Sequence, residues 1–128
     1  MGSFVADEVI RALISQNHIV KSSKVLILGI TFKENCPDIR NTGVVGVINR
    51  LKSFGINTTI YDPWANKDDV LNEYNLEITD DLKKEKYDAI ILAVAHKLFK
   101  LIDFEKLKKS NTIIYDVKGF LEKSTHKL

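Results

Sequence analysis

The chain has 128 residues, 45% hydrophobic and 28% charged, and 19 basic against 17 acidic residues leave a formal net charge of +2. That is apolar material for one core rather than two, and the charge is too balanced to argue for nucleic acid. A single cysteine, Cys36, excludes an internal disulfide and fits a reducing cytoplasm, and no run approaches the roughly 18 consecutive apolar residues of a membrane helix. Small anionic ligands stay open, because a few placed cations suffice for them.

In chain order, Val5, Val9, Ala12 and Leu13 recur at helical spacing, which predicts an amphipathic helix from Phe4 to about Gln16. After the polar Lys21-Ser22-Ser23, the branched run Val25 to Leu28 reads as a strand buried on both faces. Gly29 ends it, and Thr31 to Arg40 form a connection longer than ordinary strand-to-helix loops. Loops of that kind at the carboxyl end of a central strand are where open α/β sheets bind ligands. Val44, Val47, Ile48 and Leu51 mark a second helix, with Asn41 or Thr42 as its cap, Gly43 and Gly46 in its first turns and Gly55 as its stop. Asn57 to Tyr61 is a second strand, closed by Asp62-Pro63-Trp64.

Lys67 to Tyr74 is expected as a shorter helix and Leu76 to Ile78 as a short strand, with Asp80 or Asp81 capping a further helical stretch. Ala89 to Val94 repeats the doubly buried strand pattern. Asp103 to Lys109, with Phe104 and Leu107 apolar, is expected to be helical, and Thr112 to Tyr115 is a last strand running into Asp116-Val117-Lys118-Gly119. The polar tail after Leu121 is expected to fray. Alternating strands and helices with right-handed crossovers give an α/β fold: a doubly wound, mostly parallel, Rossmann-like sheet with helices on both faces, preceded by an N-terminal helix.

The long loop carries the chemistry. Phe32 offers a face for a nucleobase or a wall for a sugar, and Lys33 a point charge for a phosphate or carboxylate; the plainer reading is an aromatic packed under a loop beside a solvated lysine. Arg40 stands before the helix cap and could address an anion together with the helix N-terminus, or pair with Asp38 or Glu34. Lys118 follows the last strand at the same sheet edge, so Lys33, Arg40 and Lys118 can converge. Asp62 occupies the position of a ribose-binding acid, but Ile30-Thr31-Phe32 lacks the second and third glycines of the dinucleotide fingerprint, and Asp62 reads as a turn-former before Pro63. Cys36 has no histidine near it in sequence, and His18, His96 and His126 lack metal-ligand spacing. His96 reads as a strand-end residue rather than a base.

The stretch Gly29-Ile30-Thr31-Phe32-Lys33-Glu34-Asn35-Cys36-Pro37-Asp38-Ile39-Arg40-Asn41-Thr42 resembles the motif that opens the C-terminal, UDP-binding domain of the UDP-glucose/GDP-mannose dehydrogenase family. It is most similar to the branch that oxidises UDP-N-acetylhexosamines for polysaccharides. Met1 to Val9 resembles the end of the family's central connecting helix, Tyr61-Asp62-Pro63 its second strand, and Asp116-Val117-Lys118-Gly119 its last motif. The resemblance implies that residues 1–22 end a connecting helix region and residues 23–128 form the UDP-binding domain of a longer NAD-dependent 6-dehydrogenase.

On that reading Phe32, Lys33 and Lys118 contact the UDP-sugar and Arg40 faces NAD, which is bound mainly by an N-terminal domain. The nucleophilic cysteine belongs to another part of the enzyme, not to Cys36, and the chain alone is expected to be inactive. Its partners would be the UDP-sugar and the other domains of a cytoplasmic enzyme, a homodimer or higher oligomer, with neither nucleic acid nor membrane involved. The alternatives are a free-standing receiver-like or nucleotide-binding α/β domain without catalysis, and a nucleic-acid module using the lysines between Lys83 and Lys109. Receivers need paired acids after the first strand, where this chain has Gly29-Ile30-Thr31. The lysines alternate with Glu85, Asp88, Asp103 and Glu105, as a solvated face does.

Overall fold

The two continuous apolar runs of the sequence lie side by side in the middle of a parallel sheet. The computed structural model describes residues 2–31, 33, 35, 37–40, 43–79, 82, 85–117 and 126–127. Over these the chain forms α1 (Gly2–Ser15), β1 (Lys24–Leu28), α2 (Val44–Ser53), β2 (Asn57–Tyr61), α3 (Lys67–Tyr74), β3 (Tyr87–Leu92), β4 (Lys108–Asp116) and β5 (His126–Lys127). The strand order is β2-β1-β3-β4-β5 and every pairing is parallel. Leu28 pairs with Tyr61 on one side and Leu92 on the other, and Leu92 pairs with Asp116. The carboxyl ends of β2, β1, β3 and β4 therefore share one rim.

Alternation along the strands sorts the core into two faces. Val25 and Ile27, Ala89 and Ile91, and Ile113 and Tyr115 face α1 and α2, which contribute Val5, Val9, Leu13, Val47, Ile48 and Leu51. Leu26, Leu28, Ile90, Leu92 and Ile114 face the other way, against Phe99 and Leu107. This second face is covered by the 3-10 turns Lys97–Leu101 and Phe104–Lys106, so the helical layer on that side is thin. Asn66 caps α3 by accepting from the N–H groups of Asp68 and Asp69 at 2.9 and 3.1 Å, and Asn75 closes the helix in the left-handed conformation at φ 55°.

The structure differs from the sequence expectation in five places. The expected helix over Asp103 to Lys109 is one 3-10 turn, Phe104–Lys106, because Phe104 and Leu107 supply one turn of apolar contact and no more. The chain then enters β4 at Lys108, earlier than Thr112, through an irregularity in which Tyr87 pairs with Lys108 but Ala89 with Ile113. Thr112 stitches it, its hydroxyl donating to the Tyr87 carbonyl at 2.6 Å and accepting from Lys109 N–H at 2.7 Å. β3 covers Tyr87–Leu92 rather than Ala89 to Val94, since the Ala93 and Val94 N–H groups both turn onto the Leu28 carbonyl, at 3.0 and 3.2 Å. In place of a strand at Leu76 to Ile78 there is a single bridge, Thr79 to Tyr61; and in the tail expected to fray, His126–Lys127 pairs with Tyr115 and Asp116.

Below the sheet, at the amino-terminal rim, Asp88 fastens separate elements. Its carboxylate accepts from Lys24 N–H at 2.8 Å and from Lys109 Nζ at 2.7 Å, and lies 3.1 Å from His18 Nδ1. Burial pushes this carboxyl up, but the Lys109 ammonium and the Lys24 N–H outweigh it and hold it below the usual carboxylate range. Asp88→Asn is expected to lower stability by about 1–2 kcal/mol at neutral pH, the scale of a charge-assisted hydrogen bond. The difference narrows in acid, as the wild-type carboxylate protonates, and urea unfolding at pH 7 and pH 3 measures both.

Candidate functional site

From β1 the chain crosses to β2 on one side and returns to β3 on the other, so the strand order reverses between β1 and β3. Outside the carboxyl ends at such a reversal lies the crevice where open α/β sheets take ligands. Here the two turns that frame it are in contact. Gly29 has φ +97°, and a Cβ on it would stand 2.6 Å from Val94 Cβ; only glycine lets the β1 and β3 turns come this close.

The long loop is fastened from several sides. Asp62, at the end of β2, accepts from Ile30 N–H at 2.7 Å and Thr31 N–H at 3.2 Å through Oδ2, and from Trp64 N–H at 2.8 Å through Oδ1. His96 follows β3, is fully buried, and reaches the same Oδ2 through Nε2 at 3.1 Å. Its Nδ1 accepts from Asn35 N–H at 2.8 Å. A nitrogen that accepts carries no proton, so His96 is the Nε2–H tautomer and donates to Asp62. Thr31 Oγ1 also lies 3.1 Å from Nε2, and because the hydroxyl donates to the Lys33 carbonyl at 3.0 Å it can only accept there.

Asn35, in the left-handed region at φ 54°, turns the loop back and accepts from Lys97 N–H at 3.0 Å. Further along, the Tyr74 hydroxyl of α3 donates to the Ile39 carbonyl at 2.5 Å. Tyr74→Phe removes that anchor and is expected to cost about 1 kcal/mol, read as a lowered urea midpoint with unchanged slope.

Burial pushes the Asp62 carboxyl up, yet the hydrogen bonds from His96 and Ile30 N–H prevail and hold it below its ordinary range. At the exposed end of the loop Arg40 forms a fork on Asp38, Nε to Oδ1 at 3.0 Å and Nη2 to Oδ2 at 3.1 Å. That fork lowers the Asp38 carboxyl to about 2. Of the two sequence readings of Arg40, the ion pair with Asp38 is the one present.

The arrangement is built for holding backbone rather than breaking bonds. In a nucleophile–imidazole–acid relay the hydroxyl and the carboxylate sit on opposite ring nitrogens, whereas Thr31 and Asp62 share Nε2. The place where a dinucleotide fold would take a pyrophosphate is also occupied, because Asp62 already uses the Ile30 and Thr31 N–H groups. The β1 turn therefore does not fit NAD.

Lys33 is on the rim and exposed. Val117, whose N–H donates to the Leu92 carbonyl at 3.1 Å, carries the chain out of β4 at the same rim, immediately before Lys118 in sequence. Phe32, Cys36, Asn41, Thr42, Asp80, Asp81 and Lys118 lie outside the described residues. The sequence reading of Asp62 as a turn-former is half of its role: Oδ1 makes the turn bond to Trp64, and Oδ2 ties β1 and β3 together. The reading of His96 as a strand-end residue rather than a base leaves out its hold on the loop, and a polar residue following an unbroken apolar run was the available signal.

A parallel sheet of order β2-β1-β3-β4-β5 with a fastened loop at its reversal defines a Rossmann-like ligand-binding domain. The sequence places it further: residues 26–123 match the model of the UDP-glucose/GDP-mannose dehydrogenase family, UDP binding domain, and the chain belongs to that family. It is 41% identical over 124 residues to a UDP-N-acetyl-D-glucosamine 6-dehydrogenase of Salmonella typhi, covering 94% of this chain and 29% of that protein. It is 38% identical over 125 residues to the protein of that name from Pseudomonas aeruginosa, covering 95% and 30%. The chain thus spans less than a third of the length of these relatives. Its fold is that of an NDP-N-acetyl-D-galactosaminuronic acid dehydrogenase from Methanosarcina mazei, with a TM-score of 0.77 at 24% identity over 94% of this chain and 26% of that one. Among the described residues no helix is long and apolar enough to cross a membrane.

Proposed function

We propose that this chain is the part of a nucleotide-sugar dehydrogenase that grips the UDP moiety of its substrate. The observation that carries the reading is the fastening of the long loop at the sheet's reversal point by Asp62 and His96, within a sequence that matches the UDP-binding model. In this reading Lys33 and Lys118 neutralise the diphosphate or address the sugar, and Phe32 packs on the UDP-sugar. Their contribution to the reaction is binding and orientation. The whole enzyme would oxidise the C6 hydroxyl of a UDP-hexose or UDP-N-acetylhexosamine to the uronic acid with NAD, in the cytoplasm and as a homodimer or higher oligomer. Residues 1–22 would then lead in from a connecting helix region. NAD and the nucleophilic cysteine would reside in other domains, with Arg40 facing the cofactor.

Titration of the chain with UDP is expected to shift the amide signals of Lys33 and Asn35 at millimolar ligand, with UDP bound more tightly than UMP. An absence of shifts at the rim would remove the reading. The chain alone is expected to reduce no NAD in the presence of a UDP-sugar, followed at 340 nm.

A further inference from the structure

We propose that His96 is a positioning residue for the ligand loop, and that it acts through the bare Nδ1 of its imidazole. The inference rests on the UDP reading above for its affinity arm and on this structure alone for the rest. The ring is buried, with Phe99 edge-on at 5.2 Å and Trp64 at 6.1 Å, so it cannot rotate freely. Its Nε2–H is committed to Asp62, which also holds Ile30 and Thr31. Its Nδ1 holds Asn35 N–H, where the loop reverses. Lys33 therefore stands on a short span whose two ends, Thr31 and Asn35, are tied to one imidazole. A ring that only filled space would need neither nitrogen in a defined state.

Two replacements separate the nitrogens. Asparagine places a carbonyl oxygen where Nδ1 stood and keeps the acceptor for Asn35. Glutamine places an amide nitrogen where Nε2 stood and keeps the donor to Asp62. Both remove ring packing, so both are expected to lower the urea midpoint. His96→Asn is expected to keep UDP affinity within about threefold of wild type and His96→Gln to weaken it at least tenfold, corresponding to about 1.4 kcal/mol. Affinities that simply follow stability, or that are equal in the two variants, would overturn the proposal.

If the wild-type chain shows no UDP shifts, the functional reading fails, and amide exchange at Asn35 tests this one separately. It should be slow in wild type and His96→Asn and fast in His96→Gln; equal rates in the variants overturn it. Should neither variant fold, the imidazole ¹⁵N spectrum of the wild-type chain decides. A protonated Nε2 beside a bare Nδ1 supports the assignment, and a proton on Nδ1 ends it.

Discussion

Asp62→Ala is expected to lower the unfolding free energy by about 3–5 kcal/mol, a large share of the 5–15 kcal/mol typical of a domain. The cause is not lost packing. The substitution leaves the buried Ile30 and Thr31 N–H groups and the part-buried Trp64 N–H without their acceptor, and His96 Nε2–H with the Thr31 hydroxyl alone, and each buried donor without a partner costs about 1–3 kcal/mol. Asp62→Asn is expected to be milder, since a carboxamide still accepts at one atom but must aim its amine at a donor.

The effect has a pH signature. The folded chain holds this carboxyl below its ordinary range, so its contribution is complete above the unfolded value of about 4 and disappears as pH falls through the lower folded value. Urea unfolding from pH 7 to pH 2 should show the wild-type and Asp62→Asn curves approaching each other in strong acid. A gap independent of pH would mean that the carboxylate is not the acceptor.

Gly29→Ala is expected to cost about 3–5 kcal/mol by a different route. A side chain at φ +97° is strained by about 1–3 kcal/mol wherever it occurs. Its Cβ would in addition stand 2.6 Å from Val94 Cβ and 3.0 Å from the Val94 nitrogen, an overpacking that adds about as much again. Because a backbone atom and a Cβ are the obstacles, trimming the neighbour cannot relieve it. The double variant Gly29→Ala/Val94→Ala is therefore expected to recover little of the loss, and a near-complete rescue would show that the contact is softer than the structure describes.

Elements whose boundaries are set locally were legible in the sequence. Gly55 and Pro63 punctuate the end of α2 and the end of β2, and the doubly buried β1 and β3 announce themselves by unbroken branched residues. The start of β4 was not legible, because Lys108 and Lys109 read as the end of a helix. Its pairing depends on Tyr87 and on Thr112 bonding across to it, contacts that no local pattern encodes. The same divide runs through the site. The loop showed itself by its length between a strand and a helix, whereas His96 lies 61 residues from Asn35 and 34 from Asp62, and a lone histidine has no periodicity to betray it.

The packing of Trp64 beside His96, 6.1 Å between ring centres, gives the chain an optical reporter of its own. It is the sole tryptophan of the sequence, so the indole emission comes from this corner of the rim and from nowhere else. Its intensity and wavelength should register events at the imidazole in a label-free cuvette measurement.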